Sequence, residues 1–137
     1  CSFMQDIVFE DNDIIESDRV MGINVRDGAV VKDVVFRDNH AELCFPDRKQ
    51  NGMNFYITKR DRNISELGKI QKVIVENCSF DMAFPKKFAF FRHYPETLET
   101  DLSIIFKNLI VAGEKVQNFN SNFFDFSKNN SNLIFDN

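Results

Sequence analysis

Several residue types that build other folds are scarce in this 137-residue chain. Alanine occurs five times and leucine six times, whereas valine, isoleucine and phenylalanine together occur 39 times, which argues against a helical bundle. Tryptophan is absent, and no apolar run is long enough to predict a membrane span. The three cysteines at positions 1, 44 and 78 form no CxxC pair, so neither a disulfide framework nor a zinc site is predicted within the chain.

The charged residues do not form the patterns that predict a nucleic-acid or metal partner. Seventeen basic residues stand against 21 acidic ones, giving a net charge of -4, and the basic residues form no stripe, so no nucleic-acid partner is predicted. The acidic run between Glu10 and Asp18 lacks the glycine and the distant glutamate of a calcium-binding EF-hand loop, and a solvated face explains it better. We therefore predict no metal and no cofactor.

Phenylalanine, with 16 residues, and asparagine, with 15, are in excess, and many of them fall within an internal repeat. Each of five segments has an aliphatic residue, a spacer, a Phe or Val, another spacer, and then Asp or Asn. The Phe/Val position recurs after 27, 39, 31 and 29 residues, as in a solenoid whose repeats carry loops of different length. The segments are Ile7–Asp11, Val34–Asp38, Val73–Asn77, Ile104–Asn108 and Leu133–Asn137.

Strand alternation places the first and third residues of each segment on one face, where they are predicted to stack in a core. The Asp or Asn that follows suits a sharp turn and predicts a polar ladder at one corner. Apolar residues after that corner predict a second short strand in four repeats: Ile14, Ala41, Phe80 and Val111. Third strands are predicted at 20–25, 53–57 and 88–91, whereas 118–132 reads as irregular chain.

These residues resemble the C-terminal coils of glycoside hydrolase family 28, the polygalacturonases and their relatives in the pectin-lyase-like superfamily. The segments Met4–Asp11 and Val31–Asp38 resemble two strands of that family, and 22–26, Gly-Ile-Asn-Val-Arg, occupies the place of its short Gly-Val-Arg-Ile-Lys motif. The resemblance implies an all-β fold, a right-handed parallel β-helix of about four to five coils. Residues 1–137 would form one such domain, the C-terminal part of a longer β-helix.

The family hydrolyses polysaccharides with clustered aspartates and a supporting histidine, whose motifs lie upstream of the Gly-Val-Arg-Ile-Lys position. None of those motifs occurs in this chain, so we expect no catalytic residue here and an inactive chain when it stands alone. The one family site that maps onto it binds substrate, with Asn24 in place of the arginine and Arg26 in place of the lysine. Arg26 can hold a sugar carboxylate in a bidentate fork, but because the first cation is lost, a neutral or differently charged glycan is an equal alternative. Outward-facing strand positions without a binding role are the competing interpretation of Asn24 and Arg26.

Other candidate substrate-binding residues come from local patterns. His40 and Glu42 lie at alternating positions, on one side of an extended chain, and an outward-facing surface role is the competing interpretation. Tyr56 and Arg60 lie at the edge of an insertion, where aromatic rings and cations can stack on sugars or bond their hydroxyls.

The sequence thus predicts part of a secreted, periplasmic or cell-surface protein that acts on glycans, a family 28-like hydrolase with its catalytic carboxylates upstream. A non-catalytic carbohydrate-binding or structural module, like a tailspike or adhesin segment, is the alternative. The expected partners are a polysaccharide and either upstream β-helix coils or a second copy, because open strand edges favour association.

Overall fold

A computed structural model describes residues 2–44, 52–58, 66–82, 88–92, 102–118, 123–126 and 133–136. All regular secondary structure in these ranges is β-strand, as the composition predicts. The strands are β1 (Phe3–Glu10), β2 (Asp13–Ser17), β3 (Met21–Arg26), β4 (Val30–Arg37), β5 (His40–Leu43), β6 (Met53–Thr58), β7 (Lys69–Met82), β8 (Phe88–Arg92), β9 (Leu102–Val111), β10 (Glu114–Val116), β11 (Phe124–Phe126) and β12 (Leu133–Phe135).

The strands pair in three columns, because each strand lies beside its counterpart in the next repeat of the chain. The first column contains β1, β4, the first half of β7, the first half of β9, and β12. The second column contains β2, β5 and the second halves of β7 and β9, and it belongs to the same eight-stranded sheet. The third column is a separate sheet in the order β11-β8-β6-β3. Every one of these pairs is parallel, and among the described strands β10 alone runs antiparallel, against β9.

The pairing register confirms the five-segment alignment made from the sequence. Ile7, Val34, Val73, Ile104 and Leu133 are successive partners along the first column, and the Phe/Val positions follow the same register. The predicted second and third strands are also present, with Ile14 beside Ala41 and Met21–Val25 beside Met53–Ile57. Repeats of unequal length therefore bring equivalent residues together, since the loops between strands absorb the differences.

The core is built from the inward residues of all three columns. Val34, Val73, Ile104 and their Phe/Val partners at 36, 75 and 106 are buried. Aromatic rings stack at both ends of the first column, Phe9 on Phe36 at 5.3 Å and Phe106 on Phe135 at 5.3 Å between centroids. Where the column carries Val75, Phe80 of the second column packs against Phe36 instead, at 6.4 Å.

The predicted corner is present between the first and second columns. Asp11, Asp38, Asn77 and Asn108 have φ of 56°, 54°, 52° and 46°, the left-handed conformation that Asp and Asn tolerate best. The Asn108 amide donates to Asn77 Oδ1 at 3.0 Å, as a polar ladder requires. The fifth corner residue, Asn137, lies outside the described residues.

A second ladder follows one residue later, facing inward. Asn39 is 2% exposed, and its Nδ2 donates to the Phe9 carbonyl at 3.0 Å. Its Oδ1 accepts from the backbone N–H of Asn12 at 3.0 Å and from the Asn12 amide at 2.9 Å. The next repeat has buried Cys78 at the equivalent position, and its thiol donates to the Glu76 carbonyl at 3.2 Å. Inside the corner, side chains thus satisfy the backbone groups that the bend leaves unpaired.

Four features differ from the sequence prediction, the first of which is the antiparallel strand β10, which was not predicted. The interpretation of 118–132 as irregular was wrong at β11, because Phe124–Phe126 pairs with β8 and extends the third column. The predicted first and second strands of the third and fourth repeats each form one continuous strand, β7 and β9. The first-column strands are bent at Asp6, Asp33 and Lys72, all with positive φ, and the pairing register passes over these residues. A residue with positive φ interrupts the alternation of inward and outward side chains, and this alternation resumes one residue later.

Candidate functional site

Two of the predicted substrate-binding residues lie side by side on the third column. Asn24 of β3 is the register partner of Tyr56 of β6, and Arg26 is the partner of Thr58. Val25 and Ile57 point into the core, so these four neighbours face outward by alternation. We call Asn24, Arg26, Tyr56 and Thr58 the third-column surface. Adjacent strands lie about 4.8 Å apart, which brings a planar amide and an aromatic ring next to each other.

Arg19 extends this surface beyond Asn24 and was not predicted from the sequence. The side chain of Asn54, 3% exposed, accepts from Arg19 Nη2 at 3.0 Å and from Nε at 3.2 Å in the amide orientation that satisfies both groups. Arg19 also lies over Gly22, with its Cδ 3.5 Å from the position that a Cβ would take there, an ordinary van der Waals distance. Gly22 is the register partner of Asn54, so it stands one outward position before Asn24. Two guanidinium groups therefore flank the Asn24–Tyr56 pair.

Strand alternation alone does not identify Arg19, because the residue lies between β2 and β3, where the pleat assigns no face. Gly22 is not a signal for it either, because a Cβ at that position would meet Arg19 at an ordinary contact distance of 3.5 Å.

His40 and Glu42 lie on the second column, in a different sheet. His40 Nδ1 is 2.8 Å from Ser79 Oγ, and its Nε2 is 3.6 Å from Asp81 Oδ2. Glu42 is the register partner of Asp81, and both line a shallow cavity of about 410 Å³. We call His40, Glu42, Ser79 and Asp81 the second-column surface. Two carboxylates next to one histidine make it suited to a cation or a hydroxyl donor rather than to an anion.

The structure therefore divides the predicted site residues between two surfaces. Asn24, Arg26 and Tyr56 share the third-column surface, whereas His40 and Glu42 belong to the second-column surface. Arg60, the remaining candidate, lies outside the described residues.

Among the described residues, two titratable groups have displaced pKa values, and both lie at the corner rather than on these surfaces. Burial raises the pKa of the Cys78 thiol to about 11, because the thiolate loses hydration there. A hydrogen bond from Arg37 Nε to Glu10 Oε2, at 2.6 Å, raises the pKa of the Arg37 guanidinium. Cys44 is the other free cysteine among the described residues, and it is partly exposed.

Within the described ranges, no group of three or more His, Cys, Asp or Glu side chains is placed to hold a metal ion. A helix of the length and apolarity needed to cross a membrane is likewise not found in the described part of the chain. Comparisons of the chain with protein-family models, curated proteins and solved structures give no match.

Proposed function

We propose that the chain is the C-terminal part of a right-handed parallel β-helix of about four to five coils. The in-register stacking of equivalent residues across three columns supports this architecture. The right-handed sense follows from the strong preference of parallel strand crossovers for that hand.

The function that these residues support best is binding of an acidic glycan on the third-column surface. The observation that carries this proposal is the Asn24–Tyr56 pair with Arg19 on one side and Arg26 on the other. A planar amide can both donate to and accept from sugar hydroxyls, and the aromatic ring offers an apolar face. Guanidinium groups bind carboxylates in a bidentate fork, which favours a uronic-acid polymer over a neutral glycan. In this proposal Arg26 supplies the fork, and Arg19, whose Nε and Nη2 bond Asn54, adds positive charge near position 24, where the family motif has lost its arginine.

In this proposal the chain forms one wall of the glycan groove of a secreted, periplasmic or cell-surface protein. Its resemblance to glycoside hydrolase family 28 favours a polysaccharide hydrolase whose catalytic carboxylates lie in coils upstream. The chain itself supplies binding, so residues 1–137 alone are expected to release no reducing sugar from polygalacturonate.

A non-catalytic carbohydrate-binding or structural module, such as a tailspike or adhesin segment, is the second candidate. It is favoured by the corner residues, whose polar side chains bond to the chain's own backbone and to each other rather than pointing to a ligand. The hydrolase and the carbohydrate-binding module both predict glycan binding without hydrolysis by this chain, whereas a purely structural module predicts no glycan binding.

The test is affinity electrophoresis of the full chain in gels containing polygalacturonate or a neutral glucan. The wild-type chain should be retarded more by polygalacturonate, Arg26→Ala should lose about tenfold in affinity for it, and Tyr56→Ala should weaken binding of both polymers. Glu114→Gln, an exposed change on β10, is the matched control and should bind like wild type. Equal retardation by the two polymers contradicts the acidic preference, and unchanged binding by Arg26→Ala and Tyr56→Ala contradicts the location.

A further inference from the structure

The first repeat leaves one edge of the first column open. Among the described residues, β1 pairs only with β4, so the backbone N–H and C=O groups along its other edge meet no strand. Beside that edge lies an apolar groove of about 340 Å³, whose lining includes Ile7, Phe9, Met21, Ile23 and Phe36. Unpaired edges of this kind take up an additional strand readily.

The aromatic residue nearest the open edge is more exposed than its counterparts further along the first column. Phe9 is 43% exposed, whereas its partner Phe36 is 2% exposed and Phe106 is fully buried. Phe36 differs from Phe9 in having a strand on both sides, β1 before it and β7 after it. A strand laid against β1 would therefore bury Phe9 as β1 buries Phe36.

Charge at the corner specifies which strand fits. The residues just before the corner alternate in sign down the column, and neighbours pair in register: Glu10, Arg37, Glu76, Lys107 and Asp136. Arg37 bonds Glu10, and Lys107 Nζ lies 3.5 Å from Asp136 Oδ2. Glu10 begins this series and, within the part of the chain that the structure describes, has a cation on one side only. Opposite charges directly across a strand pair are favourable, and like charges are unfavourable.

We propose that the open edge of β1 binds an extended polypeptide strand, parallel to β1, that places a Lys or Arg opposite Glu10. The strand would have the pattern aliphatic, aliphatic, aromatic, basic, then Asp or Asn. Its first and third residues enter the groove, and its second residue extends the outward aliphatic row that begins at Val8. In the architecture proposed above, this strand belongs to the coil that precedes β1, so the proposal rests on that architecture and does not depend on glycan binding.

A second copy of the chain fits this edge poorly. Stacked head to tail, the copies would bring Asp136 of β12 against Glu10, two like charges. In addition, the second column ends with β10, which runs antiparallel and so breaks the parallel series at that end.

The experiment titrates the full chain with two fluorescein-labelled peptides and follows fluorescence anisotropy. One peptide copies residues 30–40, the strand that naturally pairs with β1, and its twin carries Glu at the position that copies Arg37. The wild-type chain should bind the first peptide up to about fivefold more tightly than the twin. Glu10→Lys should reverse this preference, Glu10→Gln should remove it, and Glu114→Lys on β10 should leave it unchanged. Amide hydrogen exchange in 3–10 should slow when the first peptide binds.

Three results would overturn the proposal. One is the absence of binding by both peptides to a chain that circular dichroism shows to be folded. Another is the same peptide preference in the wild-type and Glu10→Gln chains. The third is a dimer, detected by light scattering, that excludes the peptide, because the occupant would then be a second copy. The glycan experiment changes Arg26 and Tyr56, whereas the peptide experiment changes Glu10. Either proposal can therefore fail without affecting the test of the other.

Discussion

The side chain of Asn39 bridges two backbone groups at the first corner. Its amide donates to the Phe9 carbonyl and accepts from the Asn12 N–H inside the core, and its own φ is not left-handed. Asn39→Ala would leave both backbone groups without that partner, so we expect a loss of about 1–3 kcal/mol in the free energy of unfolding. Urea unfolding followed by circular dichroism measures the change.

The matched control is Asn24→Ala, which removes the same amide from an exposed position on the third column. It should change the free energy of unfolding by less than about 0.5 kcal/mol. Similar losses in the two variants would show that Asn39 contributes no more than a surface asparagine.

Cys78 makes stability depend on pH above neutrality. The folded chain holds its thiol pKa at about 11, against an ordinary value of 9.0, mainly through burial. Below pH 9 both folded and unfolded chains keep the proton, and the full stability is present. Between pH 9 and 11 only the unfolded chain releases it, so the free energy of unfolding should fall by about 1.4 kcal/mol per pH unit from this group.

Other groups titrate in the same range, so the comparison is with Cys78→Ala, in which this contribution is absent. Urea unfolding at pH 8, 9, 10 and 10.5 should give a difference between wild type and variant that shrinks as pH rises. Parallel pH profiles would contradict the assignment. At pH 8, a thiol reagent should modify partly exposed Cys44 before Cys78.

At the scale of elements, the turn between β9 and β10 predicts how substitutions at its two loop residues change stability. Val111 pairs with Glu114 across a two-residue loop in which Ala112 and Gly113 both have positive φ, at 51° and 79°. Such loops favour Asn-Gly, because alanine is strained in the left-handed region. Ala112→Asn should therefore raise the free energy of unfolding by about 1 kcal/mol, and Gly113→Ala should lower it by about as much. Changes of the same sign in urea unfolding would contradict this description of the turn.

The sequence was sufficient to predict the three columns, because each strand carries the same short pattern as its neighbour. It could not reveal β10, since an antiparallel return depends on a turn in which alanine occupies a position that usually takes Asn or Gly. It also missed β11, where Phe124–Phe126 is too short for alternation to stand out from the surrounding asparagines and serines.

The candidate site was predictable in part for a related reason. Alternation next to buried Val25 and Ile57 is enough to place Asn24, Arg26 and Tyr56 outward on neighbouring strands. Alternation does not show that His40 and Glu42 lie on a different surface. One repeat passes through two sheets, and the loops between its strands determine which sheet each strand joins. Arg19 is placed on this surface only by its hydrogen bonds to the Asn54 amide, which no sequence pattern predicts.

At the scale of the whole molecule, the two ends of the stack differ. The last repeats include an antiparallel strand, β10, and an aromatic cluster in which Phe124 meets Phe106 and Phe135 edge to face at 5.7 and 5.8 Å. The first repeat leaves Phe9 and the groove beside β1 open. In a linear array each repeat is stabilised by its neighbours, so a repeat with a single neighbour contributes least.

This asymmetry predicts unequal effects of the same substitution at two equivalent positions. Phe36→Ala removes a ring packed between repeats and should lower the free energy of unfolding by about 3–5 kcal/mol. Phe9→Ala removes a ring that is 43% exposed and stacked on one side only, so the loss should stay below about 2 kcal/mol. Urea unfolding gives the two values, and amide exchange should be fastest in β1 and slowest in β7, which is paired on both sides. Equal losses, together with equal protection of β1 and β7, would mean that the first repeat is covered in solution and that its edge is not available to another strand.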